Sequence, residues 1–498
     1  MSNCSRVELG PIFTSQLTKL TTVTFLNIEE LKLQGKALDF YRSTNVLILN
    51  VNNLHAGTAK VSIGQNIKNL IIMNSTVTRL KPDHINTKFS PDVLVLLNSK
   101  IIAGKVLVKS QQGYVFDVSY KMKLLSVENC TINTTVGAYF IKARSTEVRI
   151  KNNDLNLPEA FEPCFDIKGD NITFSHNTIN AKTDRTVTLN TTQHLLMENN
   201  TFENENSDIL QLSFPREGLQ SIRLLQSNLN RPKESFIQTK VRELEVKDCY
   251  FKFDNEKVFV VEAETFLFSN NHLSKLDTDA LEITATEVIK VTGNTFEHCQ
   301  ERVFVDIVPE ESTTEVYFDN NTFIQFEDGF LKLPAALEEN PSHLHITHTS
   351  LLKQCTCLLV HDILTSSTDL QHSMRPRTNL ARLHTNDSRR HEELEQLVEQ
   401  ETWCIEPVSG QLTNFLAYLA LAPHCTPSLR APNTPNQPLS AKAQKEGEDS
   451  DVLDVEMILI VSLTVGTLLV AIIIAICLFS AIRAKSLNRE MRERACSK

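Results

Sequence analysis

The sequence predicts an all-β protein whose strands stack as a parallel solenoid, and three observations carry that reading. A short phrase, apolar–x–x–polar–x–apolar, recurs from end to end. It begins at Leu49, Ile72, Leu96, Val127, Ile150, Phe174, Met197, Leu224, Val246, Phe268, Val291, Phe318 and Ile346, thirteen times at steps of 22 to 31 residues. A fixed period of this size marks units that bury their apolar faces only against their neighbours. The segments between phrases, such as ILQLSF at 209, VFVVEAE at 258, ALEITAT at 280 and VFVDIV at 303, alternate apolar and polar residues and are rich in Val, Ile and Phe, as strands are. In ALEITATEVIKV the two strand signals are separated by less than a helix length. Each coil therefore holds at least two strands joined by a tight turn.

The elements follow in chain order. Residues 1–45 keep the composition but lose the register, and read as an N-terminal cap or degenerate first coils. Residues 46–352 hold the repeats, about 13 coils. The polar slot of the phrase takes Asn52, Ser75, Ser99, Cys130, Asn153, Asn177, Asn200, Ser227, Cys249, Asn271, Asn294, Asn321 and Thr349. Only small or amide side chains suit a site stacked on itself, where an Asn can bond both to backbone at a turn and to the next rung. The Asn residues of this slot are expected to form an internal ladder with a structural role.

A bare coil end exposes core and strand edges, so a cap is needed. Residues 353–426 carry Cys355, Cys357, Cys404 and Cys425, which suit two disulfides stapling a C-terminal cap, with their pairing open. Cys130 and Cys249 sit five coils apart in the slot, roughly 24 Å at the strand spacing. That is beyond disulfide reach, so they read as buried thiols. Cys4, Cys164 and Cys299 have no evident partner. Residues 427–456, with Pro427, Pro432, Pro435 and Pro438 before KEGEDSD, suit an extended stalk.

Residues 457–482 form an uncharged run of 26, long enough to cross a bilayer. Arg483, Lys485, Arg489, Arg492 and Arg494 follow it, which places residues 483–498 in the cytosol and the repeats outside. The expectation is a single-pass plasma-membrane protein whose short tail leaves signalling to a cytosolic or co-receptor partner. MSNCSRVELGPIFTSQ has no apolar core, so no signal peptide is legible and the N-terminus reads as incomplete. N-x-S/T acceptors stand at Asn3, Asn74, Asn129, Asn133, Asn171, Asn190, Asn199, Asn320 and Asn386, all before the span. Asn74, Asn129, Asn199 and Asn320 directly precede the slot, so glycans there would cover one corner of the rod.

Formal net charge is −10, which argues against a phosphate-binding surface and hence against nucleic acid. No nucleophile elbow, phosphate-cradling Gly loop or finger-spaced zinc set is present. RIK at 149–151, KGD at 168–170, Asp277 with Asp279, and His343, His345 and His348 are the residues nearest to known site patterns. Each reads more simply as strand or turn.

On the phrase, the paired strands and the slot, the chain resembles the right-handed parallel β-helix, or pectin-lyase-like, superfamily, in a membrane-anchored, non-enzymatic form. The resemblance covers about residues 46–352. Enzymes of that superfamily use clustered carboxylates, with calcium or as acid and base, and no such cluster is legible here, so no cofactor, metal or catalytic residue is assigned. The apolar span, the N-x-S/T acceptors and the long regular surface of a solenoid give the expectation of a surface glycoprotein that binds carbohydrate or protein in adhesion or recognition. Two alternatives stand beside it: a membrane-anchored carbohydrate-active enzyme of the same fold, and a leucine-rich-repeat receptor, which shares the period and a C-x-C…C…C cap.

Overall fold

A computed structural model describes most of residues 1–359 and residues 400–422. Loops between coils, among them 11–18, 57–62, 104–112, 158–162, 204–208, 253–257 and 328–343, lie outside the description. So do 361–399 and everything after 422, which include Cys425, Asn386, the Pro-rich segment and the apolar run. The chain divides into two compact units, Met1–Leu429 and Arg430–Lys498, and every described residue belongs to the first. Among the described residues no helix is long and apolar enough to cross a membrane.

The described chain is a parallel β-solenoid. One ladder joins the phrase strands in sequence, from Ser2–Leu9 through Thr22–Leu33, Thr44–Ala56, Ile67–Met73 and Val93–Leu97 to Leu344–Thr347, every pairing parallel. A second ladder joins the short strands after each phrase, from Thr76–Leu80 to Thr349–Gln354, and makes about 11 turns. Among the described residues helix is limited to a 3-10 turn, Pro82–His84, to α1, Phe415–Leu421, and to Cys357, Leu359, Gln400 and Glu401 near the C-terminal end. The leucine-rich-repeat alternative is thereby corrected. That architecture returns by a helix or extended segment opposite one sheet, whereas here a second strand fills the return and pairs with its own ladder.

Alternation explains the burial. In Thr44–Ala56 the inward residues Val46, Ile48, Val51 and Leu54 are buried while Leu47 and Leu49 between them are not. The interior is one apolar column from Leu9 to Phe415. Phenylalanines stack coil on coil within it, as Phe116, Phe140 and Phe165 do at centroid separations of 5.8 and 5.0 Å. Such edge-to-face and tilted pairs add about 1 kcal/mol each to burial.

Two asparagine ladders hold the turn after each phrase. The inner one runs through the buried slot. The backbone N–H and Nδ2 of Asn153 both donate to Asn177 Oδ1 (3.1 and 2.9 Å), and those of Asn177 both donate to Asn200 Oδ1 (3.1 and 3.0 Å). Asn271, Asn294 and Asn321 repeat the arrangement. Each amide also donates to the carbonyl of the residue that opens the preceding phrase, as Asn177 does to Ile150 O at 2.9 Å. One assignment is corrected: Asn52 is exposed, and Val51 holds the slot, its N–H donating to Ser75 Oγ at 3.1 Å. The register Leu26↔Leu49, Ile28↔Val51 shows why. In the first levels the slot is Cys4, Ile28 and Val51, so the polar residue that fits the repeat there, Asn52, lies one position past it.

The outer ladder is the residue just before the slot. It has positive φ in Asn3, Asn27, Asn50, Asn74, Asn98, Asn129, Asn152, His176, Asn199, Gln226, Asp248, Asn270, Gly293, Asn320 and His348. The corner requires the left-handed region, which Asn and Gly enter most cheaply. Across the first six levels the side chains are themselves joined: Asn27 Nδ2 donates to Asn3 Oδ1, and Asn50, Asn74, Asn98 and Asn129 each donate to the Asn before, at 2.9 to 3.1 Å.

At the far end, Thr402–Ile405 adds in parallel to Thr349–Gln354 and turns back antiparallel through Leu412–Asn414 into α1. Asn414 caps α1 by accepting from Ala417 N at 2.7 Å, and Phe415 enters the core. Cys355 and Cys404 are joined in a disulfide. Cys357 is also disulfide-bonded.

Candidate binding face

The outer surface of the phrase sheet is built from every second residue, so the strand register places its side chains in straight columns. Four consecutive strands present Thr22, Thr24 and Leu26; Asn45, Leu47 and Leu49; Asn69, Ile71 and Met73; and Val93, Val95 and Leu97. Leu124 extends the block at the next level. The apolar members are half-buried and alternate with fully buried neighbours, which fixes them on the outside. No outward position named here is charged. Amide rows flank the block on both sides, Asn69 donating to Asn45 Oδ1 at 2.9 Å on one and the outer ladder on the other. Because these amides satisfy one another, the rows can lose water at smaller cost than free amides.

The same columns change character at the next strands. Ser126, Arg149 and Thr173 follow Val95, and Glu128, Lys151 and Ser175 follow Leu97. Farther on, Arg149 Nε donates to Glu147 at 2.7 Å and Arg223 pairs with Glu245 at 2.9 Å. Near the cap, Lys290 Nζ lies 4.8 Å from the centre of the Tyr317 ring. Tyr317 in turn stacks on His345 at 4.5 Å, and His345 meets Glu315 at 2.8 Å. The face is thus an ordinary charged sheet surface except over its first strands.

The remaining candidates are dispersed. Asn74, Asn129, Asn199 and Asn320 stand exposed on the left-handed corner. Asn74 and Asn129 are rungs of the outer ladder. Asn133, Asn171 and Asn190 lie half-buried in strands. KGD sits within the strand Phe165–Ser175, with Gly169 buried. Lys121 and Thr192 donate to Asp170 (2.5 and 3.0 Å), and the Lys121 bond in particular holds that carboxyl below its usual range. Asp277 is buried against Lys275 at 2.6 Å, while Asp279 and His343 lie outside the described residues. His348 stacks on Trp403 in the cap, at 6.1 Å. Among the described residues no three His, Cys, Asp or Glu side chains come together as metal ligands.

Cys130 and Cys249 occupy the slot and are buried, as are Cys164 and Cys299. Burial pushes the thiols of Cys130, Cys164 and Cys249 up to about 11 and raises that of Cys299 as well. At pH 8 a thiol with that value is ionised about once in a thousand, and only the thiolate reacts. Iodoacetamide at pH 8 should therefore leave all four unmodified in the native protein and label them after unfolding in guanidinium. Rapid native labelling of any of the four, read by peptide mass, would contradict their burial.

The repeat's polar slot does not mark the apolar block, but the strand composition does. VLIL, LIIM and VLVLL are unbroken apolar runs, the pattern of parallel strands covered on both faces, whereas EVRIK and ELEVK alternate. No family model matches the chain, and no curated protein or solved structure is significantly similar to it.

Proposed function

We propose that this chain is a single-pass cell-surface glycoprotein that works as a binding scaffold. In this reading its ectodomain is a right-handed parallel β-helix of the pectin-lyase-like kind, capped by its cysteines. Residues 457–482 cross the membrane, and glycans sit on some of the acceptor Asn residues. The ligand is an extended carbohydrate or a protein, and the binding surface is the uncharged block Leu26, Leu47, Leu49, Ile71, Met73, Val95 and Leu97. The observation that carries the reading is the change of one continuous sheet face from apolar to charged at the strand Gly113–Glu128. Scattered apolar side chains on a surface are unremarkable, but a contiguous uncharged group marks a contact site.

The test is retention of cells displaying the full chain on immobilised glycans and candidate proteins. Leu49→Glu with Ile71→Glu should lower retention at least tenfold. Thr173→Glu, in the same column as Ile71 but beyond the block, should leave it unchanged. Equal retention by all three chains would remove the block from the reading. Release of new sugar ends from a polysaccharide by the purified chain would replace binding with enzymatic turnover.

A further inference from the structure

We infer that the occupant of this apolar block is a second copy of the same chain, packed sheet face to sheet face about a two-fold axis. This rests on the block being a contact surface, as proposed above, and adds the identity of the partner.

The first argument is charge. The chain carries −10, so two copies repel one another through most of their surface. The block and its flanking amide rows are the part of this face without charged side chains, and an isologous contact sets like against like. A face of Leu, Ile, Val and Met meets its own copy without opposing charges, whereas the rows holding Arg149, Glu147, Arg223 and Glu245 would require a compensating offset.

The second argument is shape. The block is regular and open, with straight columns and no described cavity in it, which suits another sheet laid on it at about 10 Å, as in a sandwich. A short polar ligand would find few free donors there, since the amides at its edges are bonded to one another.

The third argument is area. Three columns about 7 Å apart across four strands about 4.8 Å apart cover on the order of 400 Å². A stable pair of soluble proteins buries about 800 Å² on each partner. The pairing is therefore weak between free molecules and becomes populated when both copies are held on one surface, where tethering raises their effective concentration.

The experiment co-expresses two full-length copies with different tags and captures one tag after brief chemical cross-linking in intact cells. Wild-type copies should co-precipitate. Leu49→Glu with Ile71→Glu in both copies should reduce recovery of the second tag at least tenfold, with Thr173→Glu equal to wild type. Resistance to trypsin equal to wild type shows that the variants are folded. Association that survives the double substitution overturns the inference, and so do wild-type copies that fail to associate. If wild-type copies stay apart while the same variants still lose ligand retention, the block binds a different partner. The inference then fails while the proposed function stands.

Discussion

Asn177→Leu should unfold the middle of the solenoid at a temperature at least 10 °C below wild type, or prevent accumulation of folded protein altogether. Asn177 is buried and sits at the centre of the inner ladder. Its Oδ1 is the acceptor for both the backbone N–H and the Nδ2 of Asn153, and its Nδ2 serves Ile150 O and Asn200 Oδ1. Leucine has the same number of side-chain heavy atoms with the same branch point, so the change is chiefly chemical. It leaves at least two buried donors and one buried acceptor on neighbouring coils without this partner. At about 1 to 3 kcal/mol for each unmet buried group the loss is roughly 3 to 9 kcal/mol, against a total that is typically about 5 to 15 kcal/mol. Asn177→Ser should cost about half as much, because a hydroxyl can still accept from the rung before, as Ser227 Oγ accepts from Asn200 N at 3.3 Å. Thermal unfolding followed by circular dichroism tests the order Leu worse than Ser worse than wild type. A leucine variant within about 1 kcal/mol of wild type would show that the ladder is not needed for stability.

Replacing Cys355 and Cys404 together by serine should release the C-terminal cap before the coils melt. The bridge closes a loop of 49 residues, and the chain-entropy account assigns such a loop about 4 kcal/mol. The strand Thr402–Ile405 makes a single parallel pairing with the last coil, and only Phe415 of α1 is buried. Among the described residues, that pairing, Phe415 and the partly buried Tyr418 and Leu419 remain to hold the cap once the bridge is gone, beside the separate disulfide of Cys357. Its loss bares the edge of Thr349–Gln354 and the core residues Phe323 and Leu351, an open edge on which further chains can add. The chain has one tryptophan, Trp403, and it lies in this cap. Its emission should therefore shift at a lower temperature than the β-sheet signal in the variant, and together with it in wild type. Coincident transitions in the variant would show that the cap is held by packing alone.

Most of the architecture is legible in the residues. Thirteen phrases, a slot restricted to small and amide side chains, and alternating strands with no room for a helix already require stacked parallel coils. The buried rungs Asn153, Asn177, Asn200, Asn271, Asn294 and Asn321 follow from that requirement, because a stacked buried polar group must find its partner in the next coil. The rung at Asn52 was misplaced because Ile28 and Val51 make the slot apolar in the early coils. The more constant mark there, the left-handed Asn of the corner, is a backbone property that a polarity pattern does not contain. The apolar block was only partly legible: the unbroken runs VLIL, LIIM and VLVLL mark strands apolar on both faces, but not which of their residues stand side by side. Leu49, Ile71 and Val95 lie 22 to 24 residues apart, and each by itself is an ordinary strand residue. The sequence alone determines which residues alternate and what repeats, since those depend on spacing along one chain. Only the stacking of coils, set by backbone pairing between strands distant in sequence, decides which outward side chains become neighbours, and therefore where the surface is apolar and where it is charged.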